Sequence, residues 1–117
     1  AIPALSLSLI GGYLADRTTR YREALALIDR ARVAEPGNAA IIDSYGWVLF
    51  RLGKTREALG PLRHAFALQQ DADIASHLGQ VLWVLGEKDE ARKYFDEARR
   101  IDPGNRSLKR ALQDVGA

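Results

Sequence analysis

Residues Leu78 to Pro103 read LGQVLWVLGEKDEARKYFDEARRIDP, and the order of small and large residues in that stretch decides the fold. Leu78-Gly79 and Leu82 are followed by Gly86, Ala91, Phe95, Ala98 and Pro103. The same order stands earlier as Tyr45-Gly46, Leu49, Gly53, Ala58, Leu62 and Ala65, and first as Ile10-Gly11, Leu14, Ala24, Ile28, Ala31 and Pro36. Ala24, Ala58 and Ala91 recur at a near-constant interval, and Ala31, Ala65 and Ala98 recur at the same one. A period of about 34 residues with small residues at fixed offsets marks stacked helix pairs, each burying its apolar face on its neighbours.

Within one period the spacing is helical. Ile42, Tyr45, Leu49 and Leu52 recur at intervals of three and four, which places an apolar stripe along one side of a helix. A second stripe, Ala58, Leu62, Ala65 and Phe66, follows the break at Gly53-Lys54-Thr55. Two such helices on a short connection pack antiparallel as a hairpin. The glycines and alanines fall where the axes come closest, and a larger side chain there costs ~1–3 kcal/mol of overpacking. Pro36-Gly37-Asn38 and Pro103-Gly104-Asn105 each stop a helix and offer an Asn to cap the next. Gln69-Gln70-Asp71-Ala72 replaces that stop with a shorter connection and predicts a tighter turn. The pattern predicts an all-α chain with helices over 4–16, 20–34, 38–52, 55–69, 72–85, 88–101 and 106–115.

Bulk properties narrow the function classes. Seventeen basic and 15 acidic residues leave a net charge of +2, too balanced for the basic stripe of a nucleic-acid binder. With no cysteine, disulfides and thiolate metal sites are excluded. No apolar run reaches the ~18 residues that span a membrane. Ala4 to Ile10 is apolar but lacks the basic leader and cleavage site of a signal peptide. The chain opens without Met directly into the first repeat, so the expectation is a piece of a longer protein.

The residues above resemble the tetratricopeptide repeat, whose signature runs a large residue, Leu-Gly, Tyr, then Ala, an aromatic, Ala and Pro. The third copy fits at Leu78, Gly79, Ala91, Phe95, Ala98 and Pro103, with Leu82 in place of the Tyr. The second keeps Gly46, Ala58 and Ala65 without the closing Pro. The first keeps Gly11, Ala24, Ala31 and Pro36 with an extra residue inside. The resemblance implies one tetratricopeptide domain over 1–117, with repeats at about 4–38, 39–71 and 72–105 and a capping helix at 106–115. Its expected architecture is an α-solenoid, a right-handed superhelix of antiparallel helix pairs. The strings Tyr13–Thr18, Asp43–Gly53 and His77–Trp83 further resemble the C-terminal repeats of long bacterial multi-repeat proteins. Several of those are outer-membrane lipoproteins facing the periplasm, and some are adaptors that present substrates to a protease. The resemblance thus implies a scaffold in the periplasm, with the cytoplasm as the alternative.

In that geometry the first helix of each pair lines a concave groove, and the partner implied is a peptide or protein segment. The inward residues expected are Asp43, Ser44, Trp47, Phe50 and Arg51 on one helix, and Asp73, His77, Gln80 and Trp83 on the next, with Ser76 and Val84 beside them. Phe50 and Trp83 occupy equivalent places in successive repeats, so they are expected side by side on the concave wall. Exposed aromatics near an Arg have the composition of binding hot spots, where removing one anchor costs ~2 kcal/mol or more. The alternative is that these rings only pack between helices. Chaperone-binding members clamp a peptide carboxylate with Lys, Asn and Arg. The matching places here hold Ser8, Gly12, Ser44, Asp73 and His77, from which no clamp can be built.

No catalytic residue, cofactor site or metal site is expected. His64 and His77 fall in different helices at no ligand spacing and with no third ligand, and no nucleophile or phosphate-loop motif occurs. Arg99, Arg100, Arg106, Lys109 and Arg110 crowd the C-terminal end and read as a solvated face, with attraction of an acidic partner as the alternative. Leu108, Leu112 and Val115 are spaced to cover the last pair. Leu5, Leu7, Leu9 and Ile10 exceed what one helix buries on its own partner, which predicts self-association or contact with a preceding repeat. The second functional reading is accordingly structural: the end of a longer solenoid that contributes stability or oligomer contacts.

Overall fold

The structure is a computed structural model that describes residues 19–117. The expectations for the helix at 4–16, and for Ser8, Gly12 and the apolar surface of Leu5 to Ile10, lie outside the described residues. Helix α1 covers 19–34 within them. It is followed by α2 (Ala39–Arg51), α3 (Thr55–Leu68), α4 (Ala72–Val84), α5 (Lys88–Ile101) and α6 (Arg106–Val115). These bounds coincide closely with the spacing-derived ones.

The ends are set by local chemistry. Asn38 and Asn105 accept from the Ile41 and Leu108 amides at 3.2 and 2.9 Å, capping α2 and α6. At the shorter junction Asp71 accepts from the Asp73 amide at 2.9 Å and performs the same task for α4. Helices α2 and α4 stop alike. Gly53 and Gly86 take φ +83 and +90, and the next amides, Lys54 and Glu87, reach back to the Leu49 and Leu82 carbonyls at 2.9 Å. That left-handed residue with its six-to-one bond satisfies carbonyls the helix would leave open.

Helix α2 packs on α3, and α4 packs on α5, on α3 behind it and on α6 ahead. The hairpins close because the glycines permit it. A Cβ on Gly46 would stand 2.7 Å from Leu62 Cγ, and one on Gly79 would stand 2.6 Å from Phe95 Cε1. Alanines Ala58, Ala65, Ala91 and Ala98 are wholly buried at the same crossings. Covered on three sides, α4 buries nine of its 13 residues, including Ile74, Leu78, Val81 and Leu82. Helix α5 buries only Ala91, Phe95 and Ala98, at the alternating spacing of a one-sided stripe. The exposed layer of second helices is tied by Arg63, whose guanidinium donates to both Glu90 oxygens at 2.8 and 2.9 Å. Beside that pair Phe66 meets Tyr94 edge-on at 5.4 Å. Helix α6 buries Leu108 and Ala111 against α4, keeps Leu112 and Val115 partly buried and leaves Lys109, Arg110 and Gln113 in solvent.

Candidate functional site

Helices α2 and α4 carry the expected groove residues, and four of these meet in one cluster. His77 Nδ1 donates to Asp43 Oδ1 at 2.8 Å, and the two side chains keep only 18% and 14% of their surface exposed. The imidazole lies flat on the Trp47 indole, centroids 4.2 Å apart at 26°. Trp47 in turn leans on Phe50 at 5.2 Å. A carboxylate can only accept, so the bond fixes the proton on Nδ1, and the stack then holds the plane of the ring. Asp43, Trp47, Phe50 and His77 therefore form a single apolar-polar shelf across the junction of two hairpins.

The rest of the expected set is distributed around that shelf. Arg51 is exposed at one rim and donates to the Tyr21 hydroxyl of α1 at 3.3 Å. Ser44 is exposed and bonds the Ala40 carbonyl of its own helix at 3.0 Å. Asp73 is exposed at the start of α4 and accepts from Asn105 Nδ2 at 2.9 Å.

Three expectations need correction. Gln80 is not a free groove residue: it is only 6% exposed, and its Nε2 donates to Asp114 of α6 at 3.2 Å. Ser76 is fully buried, its hydroxyl donating to the Ala72 carbonyl at 2.7 Å. Nor do Phe50 and Trp83 stand as a pair. Trp83 turns to α5, with Phe95 at 6.4 Å and the Lys88 and Arg92 cations over its ring at 5.1 and 5.2 Å. The equivalent places in the preceding repeat hold Thr55, Leu59 and Leu62, so nothing cationic draws Phe50 the same way. Both rings also pack against the core and are partly buried there.

The bonds that sequence reading missed carry a signal it could have used. Asp43 and His77 are 34 residues apart, Gln80 and Asp114 also 34, and Asp73 and Asn105 32. Polar partners about one period apart are neighbours in a stacked array, just as i and i+4 are neighbours on a helix.

On the opposite face, the Arg63 guanidinium draws the Glu90 carboxyl below the usual glutamate range, first by hydrogen bonding and then by charge. His64 lies in a separate cleft of about 270 Å³ with Arg32, Pro36, Ile42, Gly60 and Pro61. Among the described residues no helix is long and apolar enough to cross a membrane.

Comparison with known proteins agrees with this architecture. TPR repeat-containing protein PA4667 of Pseudomonas aeruginosa is 46% identical over 77 residues, which are 66% of this chain and 13% of that protein. The STIP1 homolog of Dictyostelium discoideum is 30% identical over 97 residues, 81% of this chain and 17% of the relative. The chain thus spans only a small part of either relative's length. In fold it resembles the first TPR of Spaghetti (RPAP3), solved bound to HSP90 peptide SRMEEVD. The TM-score is 0.74 at 24% identity, over 97% of this chain and 90% of that one. The tetratricopeptide repeat family profile matches residues 44–106, which include Trp47, Phe50 and His77 of the shelf, and the chain belongs to that family.

Proposed function

We propose that this chain is a protein-binding scaffold that holds a peptide or protein segment against the shelf of Asp43, Trp47, Phe50 and His77, without catalysis. The carrying observation is the Trp47–His77 stack, locked by the Asp43 bond across two hairpins. A partly exposed aromatic held rigid before a ligand arrives loses little conformational entropy on binding, which is what makes Trp an effective anchor. Support for the class of function comes from the fold neighbour solved with a peptide in place. That peptide, SRMEEVD, is acidic towards its end, whereas Asp73 and His77 stand here at the places the resemblance assigns to a carboxylate clamp. The scaffold is therefore proposed to take a different kind of segment. The periplasmic adaptor setting rests on resemblance to long bacterial relatives, and cell fractionation of the full-length protein tests it.

The experiment is selection of a displayed peptide library on this chain, followed by titration of the enriched peptide against the parent and Trp47→Ala, both checked for equal helicity. A loss of at least roughly tenfold, about 1.4 kcal/mol, is expected from removing one anchor. An unchanged affinity moves the binding site elsewhere. A structural role within a longer solenoid is the second reading, favoured by the 13% and 17% coverage of the relatives. Under it, no peptide is enriched.

A further inference from the structure

Resting on the groove reading above, we infer that the segment bound there presents a cationic side chain next to an apolar one. Asp73, His77 and Gln80 stand at i, i+4 and i+7, hence on one face of α4. Helix α2 meets that face with Asp43 and Trp47, and α6 with its cap Asn105 and with Asp114. Asp43, Asp73 and Asp114 thus border the strip, each held by a bond across a helix boundary. The donors to Asp73 and Asp114 are the carboxamides of Asn105 and Gln80, at 2.9 and 3.2 Å. A carboxamide orients a carboxylate without bringing a compensating positive charge, so these two exposed carboxylates are positioned by neutral donors.

Arg51 is engaged with Tyr21 at the rim. Arg106, Lys109 and Arg110 line a cleft of about 480 Å³ bounded wholly by α6 residues, with Ser107 and Gln113. Beside Asp43 and His77 lie the Trp47 and Phe50 rings, and an aromatic face left open attracts a cation and accepts apolar contact. Fixed anions beside aromatic faces favour a Lys- or Arg-bearing segment and repel an acidic one.

The test titrates the chain with two labelled, amidated short peptides, one alternating lysine with leucine and one alternating glutamate with leucine, read by fluorescence anisotropy. The lysine peptide is expected to bind more tightly and to weaken as salt is raised. Asp73→Asn and Asp114→Asn should each weaken it by about two- to fivefold, the scale of one exposed ion pair. Trp47→Ala should weaken it further, with circular dichroism and melting confirming the fold of every variant. Equal or tighter binding of the glutamate peptide, or no effect of either Asp substitution, overturns the charge inference. If Trp47→Ala still abolishes binding in that case, the groove reading survives. Lysine-peptide binding indifferent to Trp47→Ala removes both. Failure of both peptides to bind also overturns the cationic-ligand inference, and the library selection then decides the groove by itself.

Discussion

Trp47 of α2 and His77 of α4 stack with centroids 4.2 Å apart across the junction of two hairpins. The contact belongs to packing and to the proposed binding site at once, so its two roles have to be separated by measurement. A double-mutant cycle of Trp47→Ala and His77→Ala, followed by urea unfolding, is expected to give a coupling of about 0.5–1.5 kcal/mol. A coupling near zero would mean that the two rings touch without stabilising the junction.

Gly79 and Gly86 are both glycines of the third repeat, and alanine should harm them for different reasons. A Cβ at Gly79 meets the ring of Phe95, which is 3% exposed and has nowhere to move. Gly79→Ala is expected to cost ~1–3 kcal/mol through overpacking. Around Gly86 there is open space, but its φ is +90. Gly86→Ala should cost ~1 kcal/mol and Gly86→Asn less, because Asn visits the left-handed region more readily. Denaturant midpoints of the three variants check both mechanisms.

Arg63 and Glu90 make an exposed bidentate pair, with 40% and 38% of the side chains accessible. Solvent screening limits its worth to less than about 1 kcal/mol. Because Arg63 lowers the folded-state Glu90 value below the unfolded one, the contribution is full above the ordinary glutamate range. It fades as pH falls through the lowered value. The stability gap between parent and Arg63→Ala should therefore narrow in acid and stay constant near neutrality. A pH series of urea midpoints reads this directly, and a gap that widens in acid would contradict it.

Asn105 caps α6 at the Leu108 amide and donates to Asp73 and, at 3.5 Å, to Asp102. Asn105→Ala loses all three bonds and should destabilise by about 1–2 kcal/mol. Asn105→Asp keeps the cap acceptor, loses the donor and places like charges together. It should fall between parent and Asn105→Ala at neutral pH. Thermal melts of the set distinguish the cap from the bridge.

The groove was less legible than the fold, and Trp83 shows why. Its place one period after Phe50 makes the two look equivalent, yet Lys88, Arg92 and Phe95 draw the indole to α5. Periodicity equates backbone positions. A rotamer depends on the side chains nearby, and these differ between copies. Gln80 illustrates the same limit: its position reads as inward, yet it is buried and bonded to Asp114 of α6.

The sequence by itself determined that this protein is a stack of antiparallel helix pairs, closely where each described helix starts and stops, and which glycines must stay small. Those properties are local or periodic: caps, helical stripes, and small residues that return once per repeat. Only the tertiary structure decided that Asp43, Trp47 and His77 make one shelf, that Trp83 turns away from it, and that Asp73 and Asp114 are held by neutral donors. Each of those outcomes depends on which side chains from different repeats come within about 4 Å of one another, the range over which packing and hydrogen bonding act.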